Sequence, residues 1–211
     1  QLFHHYVYGY PPRSVAIDPV ETKETTLERS DISLREVRLE FADLPEDAPA
    51  VHLSVFYPPA ESDVLPVVLG INGYGNHTVI DDPAVGRYNR PEVQDGERGE
   101  MAHRWDIEQV VDRGFALATF RGGDADPDTD DFQNGVHPYL DDRLDVPCGT
   151  EWGTLATWAW AAQRCVDYLE AASPFDGDSI AVTGKSRRGK AALLAGATDE
   201  RIGLVAPHQS G

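Results

Sequence analysis

The chain has 211 residues, 41% of them apolar, with 36 acidic against 18 basic residues and a formal net charge of −18. These values fit one globular domain with a full core and exclude a disordered tail or a membrane-embedded chain. The acidic balance argues against nucleic acid or an anionic membrane as partner and is compatible with salt adaptation.

No apolar run approaches the roughly 20 residues that span a bilayer. The opening QLFHHYVYGYPP lacks the basic start and apolar run of a signal peptide. The chain begins with Gln, and Met101 is its one methionine, so the expectation is that the natural start, with any export signal, lies upstream. Cys148 and Cys165 are too few for a disulfide framework and are not spaced as metal ligands, so both are read as free structural thiols.

In chain order, REVRLEF and AVHLSVFYP (50–58) alternate as an antiparallel pair around the loop ADLPEDAP. LPVVLGI (65–71) is a short continuous apolar run of the kind buried on both faces of a parallel sheet. Helix and strand then alternate. A helix is expected near 102–113 ending at Gly114, then strand FALATF (115–120), a long helix near 151–171, strand SIAVTG (179–184), a helix near 187–197 and strand IGLVAP (202–207). This is a mostly parallel, doubly wound α/β layout in one domain.

The long helix is marked by Trp152, Leu155, Ala159, Ala162, Val166 and Leu169 at three- and four-residue steps, a stripe read as sheet packing. Residues 72–101 and 121–150 are much longer than the roughly 4–6 residue connections usual in such folds and are candidate site-forming loops. Both follow the C-terminal ends of strands, where open α/β sheets bind ligands.

Ser186 stands where SIAVTG turns into RRGKAALLAGA, the strand–turn–helix context of a nucleophile elbow. Gly184 gives the small residue that a sharp turn needs. The second glycine, Gly189, falls one place later than Gly-x-Ser-x-Gly asks, because Arg188 occupies its slot. An ordinary N-cap is the competing reading of this serine. Against it stand Lys185, Arg187, Arg188 and Lys190, cations unfavourable at the positive end of a helix dipole. Such a cluster suits an anionic group or the charge of a tetrahedral intermediate.

The stretch VTGKSRRGKAALLAGATDERIGLVAPHQSG resembles the nucleophile region of the glucuronoyl esterases, whose pattern is Gly, any residue, Ser, Arg, any residue, Gly, Lys. GNHTVIDDPAV (75–85), DADPDTDDFQNGVHP (124–138) and WGTLATWAWAAQRCVDYLE (152–170) resemble further segments of that family, its bacterial branch more than its fungal one.

The resemblance implies an α/β-hydrolase three-layer sandwich. It also implies hydrolysis of esters between 4-O-methylglucuronic acid on xylan and lignin alcohols, by a serine, histidine and acid without metal or cofactor. Ser186 would form the acyl-enzyme, Arg187 would stabilise the oxyanion and Lys190 would contact sugar hydroxyls, while Lys185 and Arg188 fall at variable positions and are read as rim charges. Lys185 rules out the cysteine bridge that fungal members make at its position.

Several family members carry a glutamate as triad acid where this chain has Gln209, and His208 does not match the family base. The expectation is that acid and base lie beyond residue 211, so that 1–211 is the N-terminal portion of one domain. IGLVAP would then leave an exposed apolar edge. The family setting implies a secreted or periplasmic protein acting on a polysaccharide ester.

Asp124, Asp126 and Asp128 alternate like the start of a calcium loop, but Thr129 and Gly135 stand where that loop needs Gly and Glu, so a solvated loop flanking the site is expected. His77 and His137 are read as loop anchors, and His4 and His5 as uninformative. Two alternatives stay open: an acetylxylan or general carboxylesterase on the same fold, and an inactive carbohydrate-binding homologue.

Overall fold

The computed structural model describes residues 2–12, 15–59, 64–88, 90–91, 93–144, 146 and 149–211, the side chains of Thr22 and Arg143 excepted. Cys148 lies outside the described residues. Among them, seven strands form one sheet: β1 (Ile17–Thr26), β2 (Ser33–Phe41), β3 (Val51–Tyr57), β4 (Leu65–Asn72), β5 (Ala116–Arg121), β6 (Phe175–Lys185) and β7 (Ile202–His208). Their spatial order is β1-β2-β3-β5-β4-β6-β7. β1 through β3 and the β3–β5 pair are antiparallel, whereas β5, β4, β6 and β7 are mutually parallel.

Strands β2 to β7 fall where the apolar runs put them, and β6 starts earlier than expected because Phe175 pairs with Leu65. The unexpected strand is β1. Its IDPVETKETT carries no apolar alternation because it is an exposed edge, where Pro19 and the charges on Glu21, Lys23 and Glu24 deter further pairing.

The expected helix over 102–113 is two short pieces, α1 (Ala102–Trp105) and α2 (Ile107–Asp112), broken at Asp106 with φ 42°. The break lets Trp105 lie flat on the sheet over Gly70, where a Cβ would overlap the indole ring. The second long connection contains a turn of helix, α3 (His137–Leu140), and the long helix α4 spans Thr154–Ala171. Trp152 precedes α4 rather than belonging to it, yet it is buried against Trp160 at 5.5 Å between ring centroids. Helix α5 runs Arg187–Thr198.

The two faces of the sheet carry separate cores. Leu69, Phe120 and Val182 pack under α4 and α5 through Ala162, Val166 and Ala192. Leu34, Phe56 and Leu117 pack under Ile107 and Val111 of α2. Cys165 is buried in the first core, and burial pushes its thiol well up, which makes it an inert structural thiol. At the far edge β7 leaves Leu204 62% exposed. No helix among the described residues is long and apolar enough to cross a membrane.

The turn between α5 and β7 is fastened to α4 by Arg201, which donates to Asp199 (2.7 Å) and Glu170 (2.9 Å) and pairs with Asp167 (2.8 Å). Burial alone would push the Asp199 carboxyl up, but the side-chain and backbone donors of Arg201 outweigh it and hold the carboxyl below the usual range. Its contribution to stability is therefore present above the unfolded-state pKa and is lost as pH falls through the folded one. Asp199→Asn is expected to lower unfolding free energy by about 1 kcal/mol at neutral pH, the size of a partly solvated pair. Denaturant titrations at several pH values should show the difference vanish in strong acid.

Candidate active site

The chain leaves β4 toward β5 on one side and leaves β6 toward β7 on the other, so the sheet has its switch point between β4 and β6. Ligand crevices of open α/β sheets form there, beyond the carboxyl ends of the strands. Ile71 is level with Gly184, which places Asn72, Gly73 and Tyr74 beside Ser186. A cavity of about 760 Å³ opens at this point, with Asn72, Tyr74, Arg104, Trp105, Arg188 and His208 on its wall and Ser186 at its edge.

Ser186 adopts φ 58°, ψ −124°, and its hydroxyl makes no capping hydrogen bond to α5. A cap residue sits in the extended region with its oxygen bonded to the first turn, so the cap reading is removed and the strained elbow remains. The turn is held by Ser186 N–H donating to the His208 carbonyl (2.9 Å) and by Gly189 and Lys190 N–H donating to the Ser186 carbonyl (3.0 and 3.2 Å).

The displaced glycine has a steric reason. A Cβ at Gly184 would stand 2.5 Å from the Arg188 carbonyl oxygen; one at Gly189 would overlap Ser210 Oγ and stand 2.7 Å from the Gly184 carbonyl oxygen. The tight contact falls one residue later than in the common elbow, and the second glycine falls with it.

The four cations divide. Lys185 and Lys190 are exposed, and Lys190 runs past Gly211 outside the cavity wall. Arg187 reaches across to the second long loop, where Nη1 donates to Asp128 Oδ1 at 2.7 Å. Arg188 is not a rim charge. The elbow turns it inward, where its guanidinium lies over the Trp158 ring (4.8 Å to the centroid) and against Gly73, and Nε donates to the Asn72 carbonyl at 3.1 Å. Burial lowers its pKa.

Among the described residues lining the cavity there is no aspartate or glutamate. Of the four cations around Ser186, Arg187 alone has a carboxylate within 4 Å among the described residues.

The loop after β4 is braced by Asn72, whose Oδ1 accepts from the Tyr74 and Gly75 N–H groups (3.2 and 3.0 Å). His77 is buried and pairs through Nε2 with the Gly96 carbonyl at 2.8 Å. His137 is buried between Asp141 (3.3 Å) and Thr157 Oγ1 (3.1 Å). Both anchor loops, as the sequence suggests. His4 closes a turn onto Gly9, its Nδ1 2.8 Å from the Gly9 carbonyl. His208 lines the cavity, and Gln209 is exposed at φ 51°.

The aspartates of 124–128 do not converge. Asp124 accepts from Arg121 Nε (2.7 Å), Asp126 faces His137 and Asp128 holds Arg187.

The mostly parallel sheet, with a strand–turn–helix elbow at Ser186, is the fold of the α/β-hydrolases. Residues 106–211 match the family model described as "Glucuronyl esterase, fungi", and the chain belongs to the glucuronyl esterase family. It is 34% identical over its whole length to a carbohydrate esterase from an unknown prokaryotic organism, of which it covers 52%. It superposes on a glucuronoyl esterase from Solibacter usitatus with TM-score 0.88 and 32% identity, covering 99% of this chain and 56% of that one. It likewise matches a promiscuous CE15 esterase from a marine bacterial metagenome (TM-score 0.79, 33% identity, 96% and 54% covered). The chain thus spans about half the length of these relatives.

Sequence reasoning put Ser186 at the strand–helix turn, where the structure has it, but missed the inward course of Arg188, the Asp128 partner, and the wall of Arg104 and Trp105. Gly189→Ala is expected to lower unfolding free energy by about 1–3 kcal/mol through overpacking. Gly203→Ala, whose added Cβ meets no atom nearer than 3.9 Å, should not lower it. Urea unfolding of the two variants checks the steric argument.

Proposed function

We propose that the protein is a serine carboxylic-ester hydrolase acting on esters of (4-O-methyl)glucuronic acid on xylan with lignin-type alcohols. The observation that carries this reading is an uncapped serine at φ 58°, beside a cavity wall bearing cations and no carboxylate among the described residues, in a chain of net charge −18. Glucuronoxylan is a polyanion. The acidic surface repels it and the cationic mouth of the site attracts it.

In this reading Ser186 Oγ attacks the ester carbonyl carbon. Its proton passes through a general base to the departing alcohol oxygen as the ester C–O bond breaks. Water then hydrolyses the acyl-enzyme and frees the uronate. The Arg187 N–H, at the first position of α5, has no acceptor within its own helix. It and the Arg187 guanidinium face the developing oxyanion. Since Tyr74 and Gly75 N–H are engaged by Asn72, the loop after β4 does not supply those two donors. Lys190, on the exposed side of α5, takes sugar hydroxyls.

The chain spans about half the length of its relatives, and we read residues 1–211 as the N-terminal portion of one domain. A plant-wall polymer is met outside the cytoplasm, so a secreted or periplasmic setting goes with this reading. The likeness to an esterase described as promiscuous favours one second reading, a broader carboxylesterase on the same serine.

The test is turnover of benzyl glucuronate and of an acetyl ester by the full-length gene product. Ser186→Ala should lower both by at least roughly 1000-fold. Lys190→Ala should raise KM for the uronate several-fold and leave the acetyl ester unchanged. Equal use of both esters, insensitive to Lys190, would select the broader reading. Serine-independent turnover would overturn both readings.

A further inference from the structure

We propose that Asp128 is a positioning residue of the reaction: its carboxylate holds the Arg187 guanidinium in place beside Ser186. The inference rests on the roles of Ser186 and Arg187 given above and adds a residue from a different element of the fold.

Arg187 is a long side chain that projects from the first turn of α5 among three other cations, Lys185, Arg188 and Lys190. Repulsion from these neighbours and its own rotamer freedom would both carry the guanidinium into solvent. It is instead fixed by Asp128 at 2.7 Å, with the arginine side chain 58% exposed and the aspartate 25%. A pair this solvated adds little to stability, so its effect is expected in geometry. A donor already aimed at the forming oxyanion stabilises it more than one that must be ordered during the reaction.

The carboxylate can serve this purpose because its loop is rigidly tied. Trp158 donates Nε1–H to the Asp126 carbonyl at 2.8 Å, two residues from Asp128. Arg90 donates to the Asp124 carbonyl (2.6 Å) and to that of Asn134. Val136 N–H donates to the Ala125 carbonyl (2.9 Å), which closes the loop on itself. Gly122, where the loop leaves β5, lies so close to the Trp158 ring that a Cβ would stand 3.1 Å from it. The same indole supports Arg188, so the loop that carries the acceptor and the helix that carries the donor share one support.

A double-mutant cycle on the full-length gene product with benzyl glucuronate tests this. Asp128→Ala is expected to lower kcat about tenfold, with KM within about twofold and the unfolding midpoint unchanged. Asp128→Asn, which keeps an acceptor oxygen, should fall between the two. Arg187→Ala should lower kcat about 100-fold, and adding Asp128→Ala to it should cause no further loss, because the aspartate acts through the arginine. An unchanged kcat in Asp128→Ala, or losses that multiply independently, would overturn the proposal. Ser186→Ala is run alongside. Activity that survives it removes the underlying reading and this proposal together, whereas serine-dependent activity indifferent to Asp128 removes this proposal alone.

Discussion

The site depends on one strained residue. Ser186 sits at positive φ without being glycine, a conformation that costs on the order of 1–3 kcal/mol and persists only when its surroundings leave no alternative. Here the surroundings do so from both sides. The Ser186 N–H is fixed to the carbonyl of His208 on β7, and its carbonyl accepts the first two ring-closing donors of α5. Gly184 and Gly189 let the backbone of the strand end and the first helical turn touch directly. The strain is thus maintained by the β6–β7 pairing and the packing of α5, not by the serine itself, and its result is a serine at the cavity whose hydroxyl does not cap the helix.

Around that turn the indole of Trp158 joins three parts of the site. It is fully buried in α4, so its position is set by the main core. Its edge donates to the loop after β5, and its face carries the Arg188 guanidinium, which in turn bonds the last carbonyl of β4. Arg188 is a cation largely removed from water with no carboxylate within 4 Å among the described residues. Stacking on an aromatic face and a hydrogen bond to a carbonyl compensate that loss of hydration in a way the compact ammonium of lysine would not reproduce. Motion of α4 would therefore disturb the strand end, the Ser186 turn and the Asp128 loop together.

What was legible in the sequence follows the range of the forces involved. The parallel strands were legible because burial on both faces demands unbroken apolar runs such as LPVVLGI, and the elbow because Gly184, Ser186 and a run of cations at a helix start do not fit an ordinary cap. β1 was not, since an edge strand selects charges and tolerates Pro19, and these are also the marks of a loop. The split between α1 and α2 depends on Trp105 meeting a bare Gly70, a contact no local pattern announces. Arg188 resembled its charged neighbours until the elbow set its direction. Asp128 and Arg187 are 59 residues apart, and their pairing appears only when the β5 loop and the β6–α5 turn meet over the same indole.

The electrostatic cost of this arrangement argues for its use. Each cation at the start of a helix opposes the dipole by about 0.3–1 kcal/mol, and α5 carries Arg187, Arg188 and Lys190 in its first turn with Lys185 just before it. A chain with twice as many acidic as basic residues has carboxylates to pair with all four. Among the described residues one carboxylate, Asp128, comes within 4 Å of any of them. Pairing all four would relieve the helix and also cancel the positive field at Ser186. Pairing one leaves most of that field in place and restrains the single cation to which the proposed mechanism gives the oxyanion. The unrelieved charge and the unrelieved backbone strain therefore coincide at the same turn, the place where the proposed reaction would form a negative oxygen.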